Sequence, residues 1–496
     1  MGKEMSCLKS YILSAMLAEA ISYGLQRKSA IGKQKLSERC FTSFLGFDGI
    51  KRSIRKARNG GYTMIIIRNG RVIDPKSQTD AIMNMAVDQG KIIAMGPDTE
   101  ELLRTSPAAG TKSDDIIVLD AEGLVVAPGL IDVHVHFRDP GLTYKEDIHT
   151  GAHAAAKGGF TTVVCMANTR PPADNPETLD YIRSEGSKTG IHVLPAAAIT
   201  VGMNGETLTD MALLKQHGAC GFTDDGLPLR DAALVKRAMD EAVRLNVPLS
   251  FHEEDPAFIE TSGVNQGEVS RQMGIGGASA LAEDVMVARD CMLALHTGAT
   301  IDIQHISSGN SVKMIRLAKQ MGADIMAEVT PHHFSLDETA VLKHGTLAKM
   351  NPPLRTELDR EEILRGLQEN VIDIIATDHA PHSVEEKERP LTEAPSGIIG
   401  LETSLALAIT NLVHPGYLSL MQVIEKMTVN PARLYRLDKG YLAAGADADL
   451  VIFDPGELWT VTEFASKASN SPFIGDRLIG KVKYTICGGG IVYQDV

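Results

Sequence analysis

Short apolar runs alternate along most of this chain with longer segments whose apolar positions recur at helical spacing. The runs at 130–136, 161–166, 191–197, 219–223, 248–252, 300–305, 324–330 and 372–378 read as strands. Segments such as Leu234–Ala242 and Asp284–Leu295 carry the helical pattern between them. Eight strand–helix units predict an α/β fold of the (β/α)8 TIM-barrel type, whose active site lies at the C-terminal strand ends. A doubly wound open sheet is the alternative. It would not gather residues from so many strand ends, and no GxGxxG turn follows an early strand.

The flanks read differently. Met64–Pro75 predicts a hairpin, with a turn at Asn69-Gly70. Residues 86–94 repeat that pattern and 116–120 add a strand, matched at the far end by 449–454, 482–487 and 490–493. Neither set can bury a sheet alone, so the two are expected to form one small β-sandwich. The expected domains are therefore a barrel over 125–439 and a sandwich built from 62–124 and 440–496.

Residues 1–61 hold twelve basic and four acidic side chains, a net +8 that leaves −22 for the rest of the chain. This stretch is expected to lie outside the working fold, as a disordered or weakly helical extension, with Met64 as the true start. The total of −14 argues against general nucleic-acid binding. Tyr11–Gly24 is too short for a membrane span. Six scattered cysteines without a CxxC pair fit a reduced, cytoplasmic protein.

The strand ends carry the chemistry. His134 and His136 share one face of the first strand, because side chains alternate along a strand. Asp225, His252, His305 and Asp378 stand at or just past four later strand ends. Each also fits an ordinary role: a turn at Asp224-Asp225-Gly226, a cap at His252, a core histidine at His305. Together, four imidazoles and two carboxylates at one barrel mouth suit a pair of zinc ions and a hydrolytic reaction.

Residues 64–496 resemble the amidohydrolase superfamily, and within it the class I dihydroorotases. The resemblance rests on Pro128–Gly141, Gly158–Thr162, Met166–Thr169, Phe222–Gly226, Gln304–Ser307, Lys349–Arg355, Ala376–His382 and Gly400–Thr403. It implies that His134, His136 and Asp378 hold one zinc, that His252 and His305 hold the other, and that Asp225 bridges them. No lysine is present at the strand-four end to be carboxylated as the bridge. It further implies Asp378 as the catalytic proton carrier, Arg138, Asn168 and His382 around a substrate carboxylate, and His136 among the residues that touch substrate. Asn351, Ser396 and Gly397 would wall the pyrimidine ring. The implied reaction interconverts carbamoyl aspartate and dihydroorotate in pyrimidine biosynthesis. A homodimer and association with aspartate carbamoyltransferase are the partner expectations; neither nucleic acid nor membrane is expected. Ala167, Glu253 and Ser396 depart from the usual proline, cysteine and phenylalanine. A hydantoinase, dihydropyrimidinase or allantoinase, or a non-catalytic scaffold, is the competing reading. The first three typically carry the bridging lysine, and the scaffold has lost ligands.

Overall fold

A computed structural model describes residues 64–96, Thr99 and 116–495. The expectations for residues 1–61 lie outside the described residues. Among the described residues no helix is long and apolar enough to cross a membrane.

The two flanks hydrogen-bond into a single eight-stranded sheet. Its strands are β1 (Met64–Asp74), β2 (Thr79–Asp88), β3 (Lys91–Met95), β4 (Ile116–Asp120), β5 (Val125–Pro128), β14 (Leu450–Thr460), β15 (Arg477–Cys487) and β16 (Gly490–Gln494). The order is β16-β15-β14-β5-β1-β2-β3, with β4 on β1, so the antiparallel pair β14–β5 joins the ends of the chain. The hairpin expected within Met64–Pro75 is absent. β1 runs straight through, and Asn69-Gly70 forms a bulge where its register against β2 shifts. Asn69 takes a left-handed φ of 60° while its N–H donates to Asn84 Oδ1 at 3.0 Å, which keeps it in the sheet instead of reversing it. The first reversal comes later, at Pro75–Gln78 between β1 and β2, where Gln78 takes a left-handed φ of 55°.

Between the flanks lie two parallel sheets. One contains β6 (Leu130–Val135), β7 (Phe160–Cys165) and β8 (His192–Pro195). The other runs β9 (Phe222–Thr223), β10 (Leu249–Phe251), β11 (Ile301–Ile303), β12 (Ile325–Val329) and β13 (Ile374–Ile375). Single parallel bridges connect them, Ala197 with Phe222 and Val135 with His379. All of these strands except β8, whose alternate residues are half-buried, are buried on both faces, as parallel strands covered by helices are. Val163, Ile303, Ala327 and Ile375 pack with helical residues such as Val235, Met239, Val287 and Leu367. Val164, Met326, Ile374 and Ala376 form a separate apolar cluster with Ile131 and Val133. Helix starts are set locally: Asp147 and Thr150 make a capping box, and Asp231 caps Ala232–Leu245.

Candidate functional site

The strands end earlier than the apolar pattern predicts, and their last residues turn the polar side chains inward. β11 stops at Ile303 and β13 at Ile375, so His305 and Asp378 lie beyond the paired backbone. His305 (φ 36°), Asp378 (φ 45°) and Arg138 (φ 59°) all adopt left-handed backbone, which a non-glycine residue holds only at a cost of about 1–3 kcal/mol. Asp132 fixes the seam beneath them. Its Oδ1 accepts the backbone N–H of His134 at 3.0 Å and of Thr377 at 3.1 Å. Burial raises its pKa to about 6 against those hydrogen bonds.

All six predicted donors come together, and all are buried. His134, His136 and Asp378 present ligand atoms within 4.8 Å of one another, as do His134, Asp225 and His305. His252 belongs to neither trio, but its Nδ1 lies 2.8 Å from His305 Nε2 and 3.6 Å from Asp225 Oδ1. His136 Nε2 is 2.8 Å from Asp378 Oδ1. His134 Nδ1–H donates to Glu328 Oε1 at 2.7 Å, and its Nε2 faces Asp225 and Asp378, at 3.4 and 3.5 Å. Burial opposes charge here, but Glu328, Asp378 and Asp225 outweigh it and raise the His134 pKa well above its usual value. The same competition holds Asp225 well below the carboxylate range, with His134 its main partner.

The two adjacent aspartates divide their work. Asp224 accepts the N–H groups of Ile199 and Thr200 and the Thr200 hydroxyl, so it anchors a neighbouring loop. Asp225 alone faces the histidines. Glu253, behind His252, is a buried acid whose pKa burial and Asp290 push well up.

A cavity of about 340 Å³ opens over these donors. Arg138, Asn168, Asn351, His382 and Ser396 line it. Asn168 spans two donors: its Oδ1 is 3.0 Å from His136 Nδ1, and its amide donates to Asp225 Oδ2 at 3.2 Å. His382 Nε2–H donates to Ser396 O at 2.9 Å. Gly397 does not line the cavity but is forced by it. A Cβ there would meet Ala380 O and the His382 ring at 2.7 Å.

Sequence reasoning missed four residues. Ser262 lines the cavity and exchanges hydrogen bonds with Asn351 at 2.7 and 2.9 Å. Lys349 also lines it and donates to Leu391 O and Ala394 O. Glu328 and Lys145 act behind the cavity wall, on His134 and His382. Lys349 opens the Lys349–Arg355 block on which the resemblance rests, a usable signal; the other three are brought in by tertiary contacts alone. A third donor trio among the described residues, His192, Asp449 and Cys487, lies away from this cavity, and two of its members already meet a cation, the Lys439 ammonium.

Imidazoles and carboxylates converging at strand ends over a polar cavity, on this α/β fold, define a metal-dependent hydrolase of the amidohydrolase kind. A family model described as dihydro-orotase-like matches residues 123–311, and an amidohydrolase family model matches 407–493. The dihydroorotase of Clostridioides difficile is 59% identical over 432 residues, covering 87% of this chain and all of that protein. Those of Clostridium acetobutylicum and Streptococcus pneumoniae are 54% and 51% identical over 434 residues, again 87% of this chain and the whole relative. Among solved structures, the L-hydantoinase of Arthrobacter aurescens superposes with a TM-score of 0.76 at 24% identity, covering 87% of this chain and 96% of its own. The dihydropyrimidinase of Brevibacillus agri gives 0.73 at 22%, covering 87% and 95%. These structures share the fold. The chain belongs to the dihydroorotase family. It is a hydrolase, and the family and the donor clusters together support a metal cofactor.

Proposed function

We propose that the chain is a class I dihydroorotase that interconverts N-carbamoyl-L-aspartate and dihydroorotate, the third step of UMP synthesis. The observation that carries this reading is Arg138 sharing one cavity with Asn168, His382 and the metal-donor cluster. A guanidinium is the natural receptor for the carboxylate that distinguishes dihydroorotate from neutral cyclic amides. The eight parallel strands are read as a closed (β/α)8 barrel over 125–439, supported by the single bridges at both seams. The sandwich reading of 62–124 and 440–496 is supported by a core shared by Ile65, Val87, Leu119, Leu450 and Ile486.

The donor set fits zinc. His134 Nε2 is buried, has no hydrogen-bond partner, and faces two carboxylates, a convergence of donor atoms that a cation between them would satisfy. His134, His136 and Asp378 would hold one ion and His252 and His305 a second, with the Asp225 carboxylate shared. Zinc in these positions polarises the scissile carbonyl and lowers the pKa of water. The chain's own groups do the rest. Arg138, Asn168 and His382 hold the substrate carboxylate, Asn351 and Ser396 flank the ring, and Gly397 leaves the His382 ring its room. Asp378 takes a proton from the attacking water and returns it to the ring nitrogen as the C–N bond breaks; ring closure runs the transfer in reverse.

The test is comparative turnover of dihydroorotate, dihydrouracil and hydantoin, with metal analysis. Dihydroorotate should be preferred by about 30-fold or more, since leaving the half-buried Arg138 guanidinium unpaired in the closed site costs about 2 kcal/mol, the low end of the range for a buried charge. Arg138→Met should erase that preference, and chelation should abolish turnover. Comparable rates on all three rings would make the protein a hydantoinase-type enzyme, and full activity without metal would remove the zinc reading.

A further inference from the structure

We propose that Lys145 is a positioning residue that fixes the proton of His382 on Nε2, and so decides which pole this ring presents at the substrate cavity. The kinetic arm of the test rests on the function proposed above; the structural arm does not.

Two contacts demand the same tautomer independently. The Lys145 ammonium lies 3.1 Å from His382 Nδ1. An ammonium has only donors, so Nδ1 must carry the lone pair. At the other side of the ring, Nε2 lies 2.9 Å from the carbonyl oxygen of Ser396, which only accepts, so Nε2 must carry the proton. The ring is neutral: burial, then Arg138, Lys145 and Lys387, push its pKa far below the usual histidine value.

The arrangement is a contest that Lys145 wins. Glu386 Oε2 stands 3.5 Å from the same Nδ1 and would accept a proton placed there. Lys145 lies between the rivals, 3.0 Å from Glu386 Oε1, and Tyr144 donates to that oxygen at 3.0 Å as well. Without the ammonium, the Glu386 carboxylate remains against Nδ1 at 3.5 Å, and the proton is drawn to Nδ1. Nε2 then turns a lone pair toward the Ser396 carbonyl and toward any anion in the cavity. Lys145 does not line that cavity, so it acts on substrate through the histidine.

Selective ¹⁵N-histidine NMR on the metal-loaded protein reads the tautomer directly, with His382→Gln giving the assignment. In the unmodified protein His382 should be neutral with its proton on Nε2; a proton on Nδ1 would overturn the proposal without any variant. Lys145→Met should move the proton to Nδ1, and Lys145→Arg, which keeps a donor, should leave it on Nε2. Retention of Nε2–H in Lys145→Met, or protonation of both nitrogens, would also overturn it. In turnover, Lys145→Met should raise KM for dihydroorotate about tenfold, with kcat changed less than about threefold. Adding Glu386→Gln to Lys145→Met should return both tautomer and KM toward the starting values, because an amide in place of the carboxylate can donate to Nδ1. If the unmodified protein does not turn over dihydroorotate, the function proposed above fails while the NMR result still decides this one.

Discussion

Glu328 is an ordinary acidic residue in the sequence Ala327-Glu328-Val329, yet in the structure it orients the first candidate metal ligand. Its carboxylate accepts His134 Nδ1–H at 2.7 Å and leaves Nε2 as the nitrogen that turns toward the other donors. Carboxylates behind metal-binding histidines set the tautomer and raise ligand basicity, and losing one typically costs 10–100-fold in metal affinity. Glu328→Gln should therefore weaken metal binding about tenfold or more, measured by competition with a chelator, while Arg138 still discriminates among substrates in the metal-saturated protein. Unchanged affinity would mean that the pair is only a core contact. The ligand histidines themselves were legible, because the two-residue period of a strand puts His134 and His136 on one face. Glu328 was not. Nothing local marks a strand residue whose partner lies 194 positions away. The same limit hid Ser262, which reaches Asn351 across 89 positions.

At the scale of elements, the expected strands are in place, but most are shorter than their apolar runs. Expected strand 300–305 pairs only over Ile301–Ile303, and 372–378 only over Ile374–Ile375. The reason is backbone conformation: left-handed φ at His305 and Asp378 ends the pleat where the chemistry begins. Hydrophobicity reports burial, and these residues are as buried as the strands before them, so the pattern could not show the break. The Asn-Gly pair at 69–70 misled for a related reason, since left-handed backbone suits a bulge as well as a turn. The loop bearing Ser396 and Gly397 is held the same way, by contacts from outside it. Lys387 donates to Pro395 O at 3.0 Å and Gly397 O at 3.1 Å, and His382 donates to Ser396 O. Gly397 sits at φ 154°, with His382 Cδ2 2.7 Å from where a Cβ would be. Gly397→Ala must push either the loop or His382 aside. We expect KM for dihydroorotate to rise at least about tenfold, about 1.4 kcal/mol of binding, with metal content unchanged. A variant with unaltered KM would show that the loop yields without disturbing the ring.

Across the whole molecule, joining the two ends of the chain was readable because each flank supplies strands too few to stand alone; what fastens that sheet to the parallel strands was not. Asp449 is the joint. Its backbone carbonyl accepts Gly129 N–H between β5 and β6, and its Oδ1 accepts Gly488 N–H in the β15–β16 turn. Its Oδ2 meets His192 at the start of β8 at 3.1 Å and the Lys439 ammonium at 2.7 Å. Burial opposes the Asp449 charge, but His192 and Lys439 hold its pKa far below the usual range, while Asp449 and Asp447 overcome burial to raise Lys439. The signs follow. A carboxyl with a depressed folded-state pKa contributes stability above its unfolded value near pH 4, and that stability drains away as pH falls toward the depressed value. A lysine with a raised pKa contributes below about pH 10.5 and loses its contribution as pH rises through the folded-state value. Lys439→Met keeps the aliphatic stem but leaves a buried carboxylate with His192 and one backbone donor. It should cost about 2–3 kcal/mol at pH 7, somewhat below the range for breaking a fully buried pair because Lys439 is partly exposed. Urea unfolding should show that gap at pH 7 and a narrower one as pH falls from 5 toward 3, where protonation of Asp449 removes the charge that Lys439 compensates. A gap that stays constant across that range would mean that Lys439 holds the joint by packing, with its charge contributing nothing.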